Sequence, residues 1–138
     1  MSLSALSSKL VQIRELLNTT IANKIEAKLK MSQQKQAGHL LVAQYLEVNI
    51  KELSRISADI HFVAEQIQNE SNSNNDWRKS LGRMIELLTA TIDNKSGLLQ
   101  EIDRISAKKP VADLVRDNIQ ELSRIQADLQ ESFVLSNV

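Results

Sequence analysis

His61 stands four residues before Glu65, so on a helix the two side chains share a face and are close enough to grip a metal between them. A metal site needs three or four ligands. The only other histidine, His39, lies far along the chain and no second ligand pair accompanies it, so the pattern is that of a solvated histidine beside a carboxylate. Ser32-Gln33-Gln34-Lys35 has the Ser-x-x-Lys spacing in which a lysine amine activates a serine hydroxyl. The companion motifs of that chemistry are missing, and the segment reads as a polar turn at a helix end. A glycine-rich phosphate loop and a nucleophile elbow are also missing. With no cysteine, disulfides, thiolate metal sites and a cysteine nucleophile are excluded. Glu52 with Arg55, and Glu121 with Arg124, have the spacing of surface ion pairs. The expectation is a protein that is not an enzyme and takes no metal and no cofactor.

Charge narrows the partners. Seventeen basic residues balance seventeen acidic ones. A general nucleic-acid binder carries a basic excess, so nucleic acid is not the expected partner. Lys24, Lys28, Lys30 and Lys35 form a mild basic cluster, and cations also suit the C-terminal end of a helix. The longest uninterrupted apolar run is Leu40–Ala43, against the ~20 residues a membrane-spanning helix needs. With no secretory signal pattern at the start, the expected location is the cytoplasm.

The elements that would position any site are helices. Leu3, Leu6, Leu10, Ile13, Leu17, Ile21, Ile25 and Leu29 recur at a spacing of three or four. Similar stripes start at Leu46, at Leu81 and at Val111, the third interrupted by Lys95. The chain also repeats itself. Asn49–Ile60 returns as Asn118–Leu129 with nine of twelve residues identical, and Glu15–Lys24 returns in Glu86–Lys95 with matched Leu, Thr, Ile, Asn and Lys. Heptad patterning recreates leucines but not the matched polar residues between them, so the sequence is read as a tandem duplication of a helix–turn–helix unit. Repeat 1 covers about 1–69 and repeat 2 about 70–138, with a polar linker at about 69–76.

Pro110 closes one helix and opens the next, and the repeat places the matching break at Gly38 and His39. Helices are expected at roughly 3–34, 39–69, 76–107 and 110–134. The predicted fold is all-α: one domain in which two tandem helical hairpins form an antiparallel up-down-up-down four-helix bundle. An open pair of hairpins, or hairpins exchanged between chains, is the rival arrangement.

The second helix carries more apolar surface than one seam needs. Leu41, Tyr45, Val48 and Phe62 form a second face, and Phe133, Val134 and Leu135 are apolar on consecutive positions that one helical face cannot bury together. Trp77 keeps seam spacing with Leu81 and Met84 and is expected in the core. The short, all-helical, motif-poor design resembles small secretion or flagellar export chaperones, a likeness of class. That likeness implies a non-enzymatic adaptor, chaperone or inhibitor that captures another protein's amphipathic helix. The candidate partner-binding residues are Leu41, Tyr45, Val48, Phe62, Phe133, Val134 and Leu135. The alternative is a structural protein that uses the same patches to form a homodimer or larger homo-oligomer.

Overall fold

A computed structural model describes residues 2–33, 37–68, 76–105 and 109–135. These form four helices, and no strand occurs among the described residues: α1 (Leu3–Ser32), α2 (Ala37–Gln68), α3 (Asp76–Ile102) and α4 (Lys109–Leu135). The Ser2 hydroxyl caps α1 by accepting the Ala5 N–H at 3.1 Å, supplying a partner that the first turn cannot find within the helix. Pro110 sits in the first turn of α4, where its missing N–H costs nothing.

Two boundaries differ from the sequence reading. Gly38 and His39 lie inside the first turn of α2, so the break between α1 and α2 comes before Ala37; 34–36 lie outside the described residues. Glycine's propensity cost belongs to helix interiors, so a first turn tolerates it. The third helix stops at Ile102 instead of running to 107. The Asp103 N–H still donates to the Leu99 carbonyl, and the Ile105 N–H then folds back onto the Ile102 carbonyl. Past Ile102 the apolar stripe offers only Ile105, which is exposed, and a helix with no face to bury has little to hold it. The linker ahead of α3 falls on 69–75, outside the described residues.

The first two helices pack as one hairpin and the last two as the other. Between hairpins, α2 lies against α3 and α1 against α4, both antiparallel. The second and fourth helices also meet across the diagonal, whereas α1 and α3 are the pair that meets least. This is an up-down-up-down bundle with α2 and α4 nearest its axis.

The core obeys the repeat. Leu10 and Leu81, Ile13 and Met84, and Leu17 and Leu88 are equivalent positions of α1 and α3, and all are buried. Leu53 and Leu122, and Ile60 and Leu129, are equivalent in α2 and α4 and are also buried. Trp77 takes the place of Leu6 at the linker end of the bundle, and the Arg78 guanidinium stands 5.3 Å from its ring centroid. The two hairpins are therefore related by a pseudo-twofold axis along the bundle. Polar contacts follow it too: the Ser57 hydroxyl donates to Asn18 Oδ1 at 2.6 Å, and at the equivalent positions the Gln126 amide donates to the Thr89 hydroxyl.

Candidate functional site

The residue that interrupts the third stripe, Lys95, is buried between helices. A buried ammonium needs a partner, and its Nζ lies 2.7 Å from Glu52 Oε1 on α2. Lys95 also donates to the Tyr45 hydroxyl at 3.1 Å, with the tyrosine ring 5.1 Å away at its centroid. The Tyr45 hydroxyl donates to Asn118 Oδ1 at 3.3 Å, and Asn118 Nδ2 donates to Glu121 Oε1 at 3.3 Å. Glu121 in turn pairs with Lys24 Nζ at 3.0 Å. A polar layer thus crosses all four helices. It divides the large apolar cluster from a smaller one built on Ile102, Ala112 and Val115.

This layer reassigns several charges. Glu52 and Glu121 turn inward to Lys95 and Lys24 rather than along their own helices to Arg55 and Arg124. Lys28 meets Glu47 at 3.8 Å and Lys30 meets Glu26 at 3.5 Å, so the basic cluster on α1 is answered by carboxylates. Lys35 lies outside the described residues. Burial pushes the Tyr45 phenol above its ordinary pKa, while the bond from Lys95 and the positive charge it carries pull the other way.

The candidate partner-binding residues separate into three environments. Tyr45 is half-buried and committed to the polar layer. Phe133 packs on the core beside Gly82, while Val134 on the same helix is exposed. Leu135 ends α4, and its side chain lies outside the described residues. Leu41, Val48 and Phe62 are exposed on α2; Val48 lines a groove against α3 and Phe62 a smaller hollow next to it.

That groove runs between α2 and α3 and encloses about 450 Å³. The buried side chains of Ile56, Met84 and Leu88 form its floor, and exposed Val48 and Leu87 form its walls. Phe62 lines a smaller hollow of about 170 Å³ that continues it past Asp59 and Leu87. Arg55 and Asp59 stand one helical turn apart at the edge, and neither forms an ion pair among the described residues. Sequence reasoning missed Leu87, because a leucine outside the main stripe looks like an incidental surface residue. Its recurrence as Leu16 in the other repeat was the available signal.

His61 Nε2 lies 2.9 Å from Glu65 Oε1, and among the described residues no three His, Asp or Glu side chains gather where a metal ion would sit. No helix among the described residues is long and apolar enough to cross a membrane. Comparison with protein families, with curated proteins and with solved structures finds no match to this chain.

Proposed function

We propose that this protein is a non-enzymatic binding protein that captures an amphipathic helix of another protein in the α2–α3 groove. The observation that carries this reading is an apolar groove walled by exposed Val48 and Leu87, with Arg55 and Asp59, which form no ion pair among the described residues, at its edge. A helix laid there would place apolar residues against Ile56, Met84 and Leu88. It would complete a three-helix layer by the same ridge-and-groove packing that joins α2 to α3. Arg55 asks for a carboxylate on that helix, and Asp59 for a lysine or arginine one turn away. The test is Leu87→Glu, an exposed position that leaves the core intact. The expected outcome is loss of affinity for an amphipathic helical peptide of that pattern, with unchanged helix content by circular dichroism. Unchanged affinity would overturn the groove assignment.

Self-assembly is favoured by a different observation. Ile25, Leu29, Leu40, Leu41, Leu98 and Ile105 are all exposed, and the topology gathers them at the end of the bundle that holds the α1–α2 and α3–α4 turns. Covering that end with a second copy would bury them. Light scattering across a concentration series separates the readings. A stable monomer leaves helix capture standing, and a dimer that Leu40→Glu with Leu41→Glu dissolves supports self-assembly.

A further inference from the structure

The groove between α2 and α3 has a counterpart on the opposite side of the bundle. It runs between α4 and α1 and encloses about 240 Å³. Most of its lining is that of the first groove moved by one repeat, without counterparts of Val48 and Lys51 and with Thr19 and Leu53 added. Arg55, Asp59 and Ile56 become Arg124, Asp128 and Ile125, and Leu87, Leu88 and Thr91 become Leu16, Leu17 and Thr20. All but Ile13, which stands for Met84, are identical at these equivalent positions.

Packing explains the buried members, because a core leucine is held by its neighbours. It does not explain Leu16 and Leu87, which are 71% and 58% exposed. Nor does it explain the two Arg–Asp pairs. Like their equivalents, Arg124 and Asp128 form no ion pair among the described residues. Both copies thus hold the same exposed leucine over a similar apolar floor, and the same Arg and Asp one turn apart. Thr20 and Thr91 even make the same bond, donating to the Leu16 and Leu87 carbonyls at 3.1 and 2.8 Å.

We infer that the two grooves take the same ligand, and that the chain is a bivalent adaptor that bridges two copies of one partner helix. The inference rests on the helix-capture reading above. The occupant is an amphipathic helix with an acidic and a basic residue one turn apart beside its apolar face, set by Arg and Asp in both grooves. Because the pseudo-twofold axis runs along the bundle, the two bound helices lie on opposite faces and point in the same direction. The grooves are not equal in strength. The first gains Val48 and Lys51, where the second repeat has Asp117 and Gln120, so the α2–α3 groove binds more tightly.

The test is calorimetric titration of the whole chain with a synthetic 21-residue helical peptide. The peptide has leucines at i, i+3, i+4 and i+7 repeats and one Glu and one Arg four residues apart beside them. Two peptides per chain are expected. The charge reversal R55D/D59R and the reversal R124D/D128R should each weaken one site by at least about tenfold and leave the other in place. All four side chains are outside the core, and circular dichroism checks that the variants fold. As a second handle, L16E should remove one site and L87E the other. One peptide per chain, lost in R55D/D59R and kept in R124D/D128R, would overturn bivalence while leaving helix capture intact. No binding, or two sites that none of these variants disturbs, would overturn both.

Discussion

Lys24 Nζ lies 3.0 Å from Glu121 Oε1 across the α1–α4 seam, and one repeat along the chain Lys95 Nζ lies 2.7 Å from Glu52 Oε1 across the α2–α3 seam. Each lysine is answered by a glutamate of the other hairpin. An apolar seam alone tolerates sliding by a turn, whereas two ion pairs related by the pseudo-twofold axis fit only one register. The polar layer is expected to set the docking register of the hairpins more than to add stability.

Breaking one side of that arrangement is therefore costly. Lys95→Met leaves the Glu52 carboxylate without its cation. Loss of one partner of a fully buried pair costs about 3–5 kcal/mol, and Glu52 retains 30% side-chain exposure, which reduces the expected loss to about 2 kcal/mol. Adding Glu52→Leu removes the stranded charge and should recover at least half of it. Urea denaturation of the wild type, both single variants and the double variant measures the coupling. Additive single effects would show that the two residues do not depend on each other.

The four helices and their pairing into hairpins were legible because long stripes and matched residues in the two halves report on the backbone directly. The polar layer was not. Glu52 has Arg55 three residues away on its own helix and Lys95 forty-three residues away, and local spacing favours the nearer cation. Lys95 alone hinted otherwise, as a charge inside an apolar stripe whose repeat mate is also lysine. Tyr45 shares a face with Leu41 and Val48 by spacing alone, yet its hydroxyl has two partners in the interior. Only the packing of α3 and α4 against α2 reveals that difference. The grooves were illegible for the same reason, since each is shared by helices of different hairpins.

Asn49 and Asn118 are equivalent and both fully buried, but only Asn118 is satisfied. Neither Asn49 Oδ1 nor Asn49 Nδ2 finds a hydrogen-bond partner among the described residues. For Oδ1 the asymmetry traces to one substitution between repeats: Tyr45 donates to Asn118 Oδ1, and the position that would serve Asn49 is Leu114, which has no hydroxyl; for Nδ2, Glu121 accepts from Asn118 whereas the equivalent Glu52 does not accept from Asn49. The same isosteric change should then have opposite signs. Asn49→Leu should raise stability by about 1 kcal/mol, and Asn118→Leu should lower it by about 1–2 kcal/mol because Tyr45 loses its acceptor. Denaturant midpoints at constant m-value read both. Destabilisation by Asn49→Leu would mean that its amide is satisfied in solution.

Two glycines inside α3 offer stabilising changes. A methyl group at Gly82 would stand 3.8 Å from the Phe133 ring, an ordinary contact, and one at Gly97 would meet nothing within 4 Å. Neither has a positive φ. Gly82→Ala and Gly97→Ala should each add about 0.5–1 kcal/mol, by helix propensity and by reduced freedom of the unfolded chain. Thermal melts of the two variants check this. A lower melting temperature for Gly82→Ala alone would show that α3 and α4 already pack at their limit there.

Tyr45 should give the fold an alkaline limit. Its phenol ionises above the ordinary value of 10.0 in the folded protein, chiefly because burial disfavours the phenolate and despite the nearby Lys95. In the unfolded chain it ionises near 10. Between those two points the unfolded state has released a proton that the folded state keeps, so stability falls as pH rises through 10 towards the folded pKa, and below that window the contribution is constant. Tyr45→Phe has no such proton. At neutral pH it should cost about 1 kcal/mol through the lost bonds to Lys95 and Asn118. Above pH of about 10 the gap to the wild type should narrow, because the wild type alone bears the penalty. Urea midpoints of the pair between pH of about 8 and about 11 measure it. Parallel curves throughout would place the phenol in solvent and remove Tyr45 from the layer that joins the two hairpins.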